Sequence, residues 1–139
     1  MLITRESEYA IRMVRALADN EVKSVGRISD DERIPPKWAY KILKKMERAK
    51  LVKSFYGVNG GYQLDKEISK ITMLDILTIN ENSLRFSECA HGPSCSHATH
   101  SLDECAITQE FKGLQNAVKW LLSERTMAEI FEVKRPSAV

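Results

Sequence analysis

Cysteine and histidine are scarce in this chain of 139 residues, and they occur in one place only. All three of each lie within the seventeen residues from Cys89 to Cys105. An odd, clustered set of thiols argues against a disulfide framework, and in a reducing compartment it points to metal or redox chemistry. Long apolar runs are missing too: none approaches the roughly 20 residues needed to cross a bilayer. The opening Met1-Leu2-Ile3-Thr4-Arg5-Glu6 is charged too early for a secretory signal, so the expectation is a soluble cytoplasmic protein. Repeats, low-complexity tracts and linkers long enough to part independent domains are also lacking. No pocket signature accompanies the thiols, and three in one loop suit ligation better than a single activated nucleophile, so an enzyme is not expected.

What is present is charge divided unevenly. Residues 1 to 66 carry 14 Lys and Arg against 9 Asp and Glu, a balance of +5, whereas the remainder carries 7 against 10, or −3. The first half should therefore meet a polyanion.

Local patterns order that half. Thr4 can cap a first helix in which Ala10, Met13, Val14, Leu17 and Ala18 form one apolar face, stopping near Asp19-Asn20. A short second helix follows Ser24 over Ile28 to Arg33, and Pro35-Pro36 introduces a third, from Pro36 to Arg48. Its expected buried side is Trp38, Ile42, Leu43 and Met46, and its other faces carry Lys37, Lys41, Lys44, Lys45 and Arg48, offset in this stretch only by Glu47. Leu51 to Tyr56 alternates like a strand, Gly57-Val58-Asn59-Gly60-Gly61 turns, and Tyr62-Gln63-Leu64 returns. Helix, helix, basic helix and hairpin is the order of a winged helix-turn-helix, whose third helix enters the major groove of DNA.

The second half restarts at Ile71 with Thr72 and Asp75 spaced as a capping box, and Met73, Ile76, Leu77 and Asn80 on its inner face. After the cysteine loop, Ile107, Phe111, Leu114, Val118 and Leu121 recur at steps of 4, 3, 4 and 3, the seam that two helices bury between them. A dimer contact is the expectation. Thr126 and Glu129 form a second capping box before a last short helix, and Lys134 to Val139 should fray. The expected architecture is mainly α. It comprises a winged helix-turn-helix DNA-binding domain over 1–80, a cysteine-rich loop over 81–106, and a long C-terminal dimerisation helix with its tail over 107–139.

Within the loop, Gly92, Pro93 and the Ser/Thr-rich spacing let the chain wrap an ion, and Glu88, His91, His97 and Glu104 flank the thiols where a buried cysteine would have apolar neighbours. Thiolates and imidazoles hold zinc or iron-sulfur clusters, and this set of donors suits either.

Ile3-Thr4-Arg5 with Tyr9-Ala10-Ile11-Arg12, the Gly57-x-x-Gly60-Gly61-Tyr62 wing, Ile71-Thr72-x-Leu74-Asp75-Ile76 and the three-cysteine loop together resemble the Rrf-two family of bacterial winged-helix regulators. The resemblance extends over nearly the whole chain. It implies a homodimer with crossing long helices and an iron-sulfur cluster, 2Fe-2S or 4Fe-4S, near the dimer interface. Cys89, Cys95 and Cys105 match the cluster cysteines. Five residues separate the first two, the family's usual spacing, and nine the next two, a longer one. Thr108 stands where some members carry a histidine ligand; others use a first-helix carboxylate of the other subunit, which here implies Glu8 as fourth ligand, with His91, His97 and His100 as rivals. On the DNA side the resemblance implies Lys37, Trp38 and Lys41 on the recognition helix, and Tyr56, in place of a wing arginine, with Asn59 at the wing tip. The implied function is a regulator sensing iron, redox state or nitric oxide on a double-stranded operator. The other reading is a cluster-free or zinc-containing winged-helix protein acting mainly through protein–protein contacts.

Overall fold

A computed structural model of the chain describes residues 3–80, 84 and 105–132. The expectations for the cysteine loop before Cys105, for the Asn80 side chain and for the fraying tail lie outside the described residues.

The capping residues start their helices as expected. The Thr4 hydroxyl accepts from the Ser7 amide at 3.2 Å and opens α1, Arg5–Ala16. Ser24 accepts from Arg27 at 3.1 Å and opens α2, Val25–Glu32. Arg33, in the left-handed region at φ 53°, closes α2, and Pro36 at the first position begins α3, Pro36–Arg48. α1 stops a turn earlier than expected. The buried Lys23 ammonium takes up the orphaned Ala16 carbonyl and pairs with Asp19 at 2.7 Å.

Ala39, Ile42, Leu43 and Met46 form the buried stripe of α3, packed with Met13 and Val14 of α1, with Leu17 just past its end and with Ile28. Each fully buried large side chain contributes roughly 1.5–3 kcal/mol. Trp38 is not in this stripe: it is 40% exposed, a correction to the expectation that it faces the core. The interior side of α3 follows the 3, 1, 3 steps from residue 39, and alanine there lets the helices approach closely.

The wing pairs β1, Val52–Phe55, antiparallel to β2, Gly61–Leu64, with Val52 opposite Leu64 and Phe55 opposite Gly61. Val52, Tyr62 and Leu64 face the core. Lys23 adds a rung on the other edge of β2, its amide and carbonyl bonding those of Tyr62 at 2.9 and 2.8 Å. Only glycine fits at 61, where φ is +154° and a Cβ would fall onto the Lys23 carbonyl.

Both expected capping boxes are formed. Thr72 and Asp75 exchange bonds at 2.9 and 3.2 Å ahead of α4, Met73–Asn80. Thr126 and Glu129 do so at 2.8 and 3.3 Å ahead of α6, Met127–Glu132. Thr72 and Thr126 are bridged, and Met127 is fully buried with Ile71, so the end of the described chain returns to the core built by α1, α2 and α3.

Between them α5, Ala106–Ser123, packs against α4 and buries Thr108 and Gln115. Three of its five seam residues face the other way: Ile107, Leu114 and Leu121 are 61%, 52% and 62% exposed, Phe111 and Val118 are half-buried, and Trp120 beside them is 59% exposed. Among the described residues no helix is long and apolar enough to cross a membrane.

Candidate nucleic-acid interface and cysteine site

The short α2–α3 turn sets α3 on the surface, and α1 fixes its angle. Arg15 grips the buried Glu32 carboxylate with Nε at 3.1 Å and a second nitrogen at 2.5 Å, while Arg12 donates to the Glu32 carbonyl. This fork ties α1 to the end of α2. The Tyr9 ring meets Trp38 edge-on, with centroids 6.4 Å apart.

On the outer face of α3, Lys37, Trp38 and Lys41 line a shallow pocket of about 170 Å³. The Lys41 ammonium stands 4.8 Å from the Trp38 ring centroid. An aromatic plate beside two ammonium groups can stack or contact a thymine methyl while the cations meet phosphate or guanine. Tyr40, more than half exposed with Lys44 at 5.6 Å from its ring centroid, belongs to the same face. Nothing in the sequence pattern marks it, and only exposure singles it out. At the wing, Tyr56 and Val58 are fully open and Asn59 is exposed. The turn is closed by the Gly60 amide on the Gly57 carbonyl at 3.0 Å.

Glu47 is not the only carboxylate that offsets the lysines of α3. Glu47 does offset Lys44, at 3.3 Å, and it also accepts from the Ser54 hydroxyl, joining α3 to the wing. A second carboxylate comes from α1. Glu6, its side chain 16% exposed, pairs with Lys41 at 3.3 Å and closely with Lys45. Burial alone would raise the Glu6 carboxyl, but Lys45 and Lys41 outweigh it and hold the group below the usual carboxylate range. Nothing local in the sequence marks this contact, which spans 35 and 39 residues. Lys37 and Arg48 have no carboxylate partner among the described residues.

The second constellation is described only in part. Cys105 sits at the N-cap of α5, half-exposed. Its thiol lies below the ordinary value because it faces first the amide and then the hydroxyl of Thr108, with the Ile107 amide behind them. A helix N-terminus favours thiolate, the form that ligates metal. Thr108, where some relatives were expected to place a histidine, is buried and serves this thiol. Glu8 is exposed on α1 with no ion pair among the described residues. Cys89, Cys95, His91, His97 and His100 lie outside them. Among the described residues no three such donors lie together, and of the expected ligands only Cys105 and Glu8 are in view; cysteine sulfur is the donor that iron-sulfur centres use.

Residues 3–133 match the profile of the Rrf2 family, described as iron-dependent transcriptional regulator. The chain is 28% identical over 137 residues to protein aau3 of Rhizobium meliloti strain 1021, covering 96% of this chain and 87% of that one. Its fold matches T. potens IscR with a TM-score of 0.72 at 20% identity, over 94% of this chain and 85% of that structure. It also matches the oxidized form of Staphylococcus aureus CymR with a TM-score of 0.73 at 22% identity, over 98% and 100%.

Proposed function

This chain belongs to the Rrf2 family of transcriptional regulators, and from that membership we propose a cytoplasmic homodimer whose operator affinity is set by an iron-sulfur cluster. Regulation of transcription is the family's activity, and enzymatic turnover is not. Lys37 and Trp38 would reach base edges in the major groove with Lys41 on its phosphates, and Tyr56 and Asn59 would meet the adjoining backbone or minor groove. Cys89, Cys95 and Cys105 would hold the cluster, with Glu8 of the other subunit as fourth ligand. Bound there, the cluster would supply a centre whose loss or oxidation changes the charge and geometry of its ligands.

The observation that carries the reading is the position of α1. Glu8 lies on the same helix as Glu6 and Tyr9, which touch Lys41, Lys45 and Trp38 of α3. A ligand on α1 is thus tied through three direct contacts to the reading helix. A switch of this kind needs only a few kcal/mol of differential affinity between two states. The open seam of α5 supports the dimer, since a regulator of this fold reads two half-sites about one helical turn or a multiple apart.

The test is anaerobic purification with iron, sulfide and visible spectra, followed by binding of holo-protein, apo-protein and Cys95→Ala to a duplex selected from genomic fragments. Visible absorbance with acid-labile sulfide is expected in the wild type and not in the variant, with operator affinity following it. Identical affinity in all three sinks the sensing mechanism. A colourless protein with stoichiometric zinc transfers the site to zinc, and partner binding that is insensitive to salt favours the protein-interaction reading.

A further inference from the structure

Glu6 is placed against the logic of a DNA-reading face. Recognition needs cations at the duplex, yet a fixed anion from α1 stands among the lysines of α3. Its two partners, Lys41 and Lys45, lie one turn apart and converge on the two oxygens of one carboxylate. The carboxylate is held from behind as well, in the first turn of α1, where the helix end favours negative charge. The lysines are not buried with it: their side chains are 54% and 33% exposed, so both can swing to an approaching phosphate.

We infer that Glu6 is an internal counter-anion of the recognition helix, competing with DNA phosphates for Lys41 and Lys45 and so holding down affinity for DNA of any sequence. This rests on the DNA-binding reading above. Phosphate contacts supply affinity but carry no sequence information, whereas base contacts discriminate. An anion that opposes only the phosphate term lowers binding to every duplex alike. It leaves a larger share of the binding energy to the base-reading groups of the same helix. Two lysines against one carboxylate give this corner a charge of +1. Glutamine in place of Glu6 keeps the size and one acceptor oxygen but makes the corner +2, the equivalent of one more neutralised phosphate.

The experiment measures binding of a short random-sequence duplex by wild type, Glu6→Gln, Lys45→Gln and the double variant across a salt series, with circular dichroism reporting fold. Glu6→Gln should bind more tightly than wild type, with its log–log salt slope steeper by about 0.9, so that its advantage shrinks roughly threefold between 50 and 200 mM salt. In the Lys45→Gln background only Lys41 remains to be released, so the gain should shrink, a coupling that a general change in net charge would not show. Equal or weaker binding by folded Glu6→Gln, with an unchanged slope, overturns the proposal and leaves DNA binding intact. A wild type that binds no duplex in a salt-dependent way overturns the DNA reading and this proposal together.

Discussion

Leu121→Ala should weaken self-association about thirtyfold while leaving the protomer folded. Leu121 is 62% exposed on the open face of α5, so covering it in a dimer removes well over half of a leucine side chain from water. At roughly 1.5–3 kcal/mol for a complete side chain, that is about 1 kcal/mol per protomer once the methyl left by alanine is allowed for. A two-fold interface presents every residue twice, which brings the loss to about 2 kcal/mol, and each 1.4 kcal/mol is a factor of ten in Kd. Leu121→Asp goes further, since it places two carboxylates in a closing apolar seam, and it should leave monomers at micromolar concentration. Sedimentation velocity over a dilution series measures both effects, with far-ultraviolet circular dichroism checking that helix content is retained. A Leu121→Asp protein that dimerises as tightly as the wild type would refute the assignment of this face.

The wing offers a backbone test. Gly61→Ala sets a Cβ against the Lys23 carbonyl at a φ of +154°, so the two Lys23–Tyr62 bonds should part, lowering stability by about 1–3 kcal/mol in a thermal melt and weakening duplex binding. An unchanged melt would mean that the rung is not tight. The Lys23 cluster also makes a prediction about acid stability. The hydrogen bond from Lys23 holds the Asp19 carboxyl below its ordinary value, outweighing the opposite effect of burial. The stability it adds is therefore complete above the ordinary carboxylate range and is lost as pH falls through the lowered value. Asp19→Asn should flatten that limb of a stability–pH profile, and an unaltered limb would assign it to other carboxylates.

Much of this molecule could be read from neighbouring residues alone. Thr4, Ser24, Thr72 and Thr126 open helices because a short side-chain oxygen three residues ahead of an unbonded amide satisfies it wherever the helix later packs. Gly57 and Gly60-Gly61 turn the wing because their backbone reaches angles and approaches that other residues resist. The 3.5-residue seam from Ile107 to Leu121 is a period, and a period survives without knowledge of the partner it meets. Trp38 shows where such reading fails. Its size and its spacing from Ile42 suggest the interior, yet Ala39 holds the central position because two helices must approach there.

The contacts that give the surface its behaviour belong to another class. Glu6 reaches Lys45 across 39 residues, Lys23 pairs with Tyr62, and Met127 closes on Ile71. None of these has a period, a cap or a turn to announce it. A single carboxylate and a single lysine are attracted at any separation in sequence, and which ones meet is settled only when apolar burial has fixed how the helices cross. Local chemistry and periodicity therefore determined the elements and their order, whereas packing alone decided that the reading helix carries its own anion.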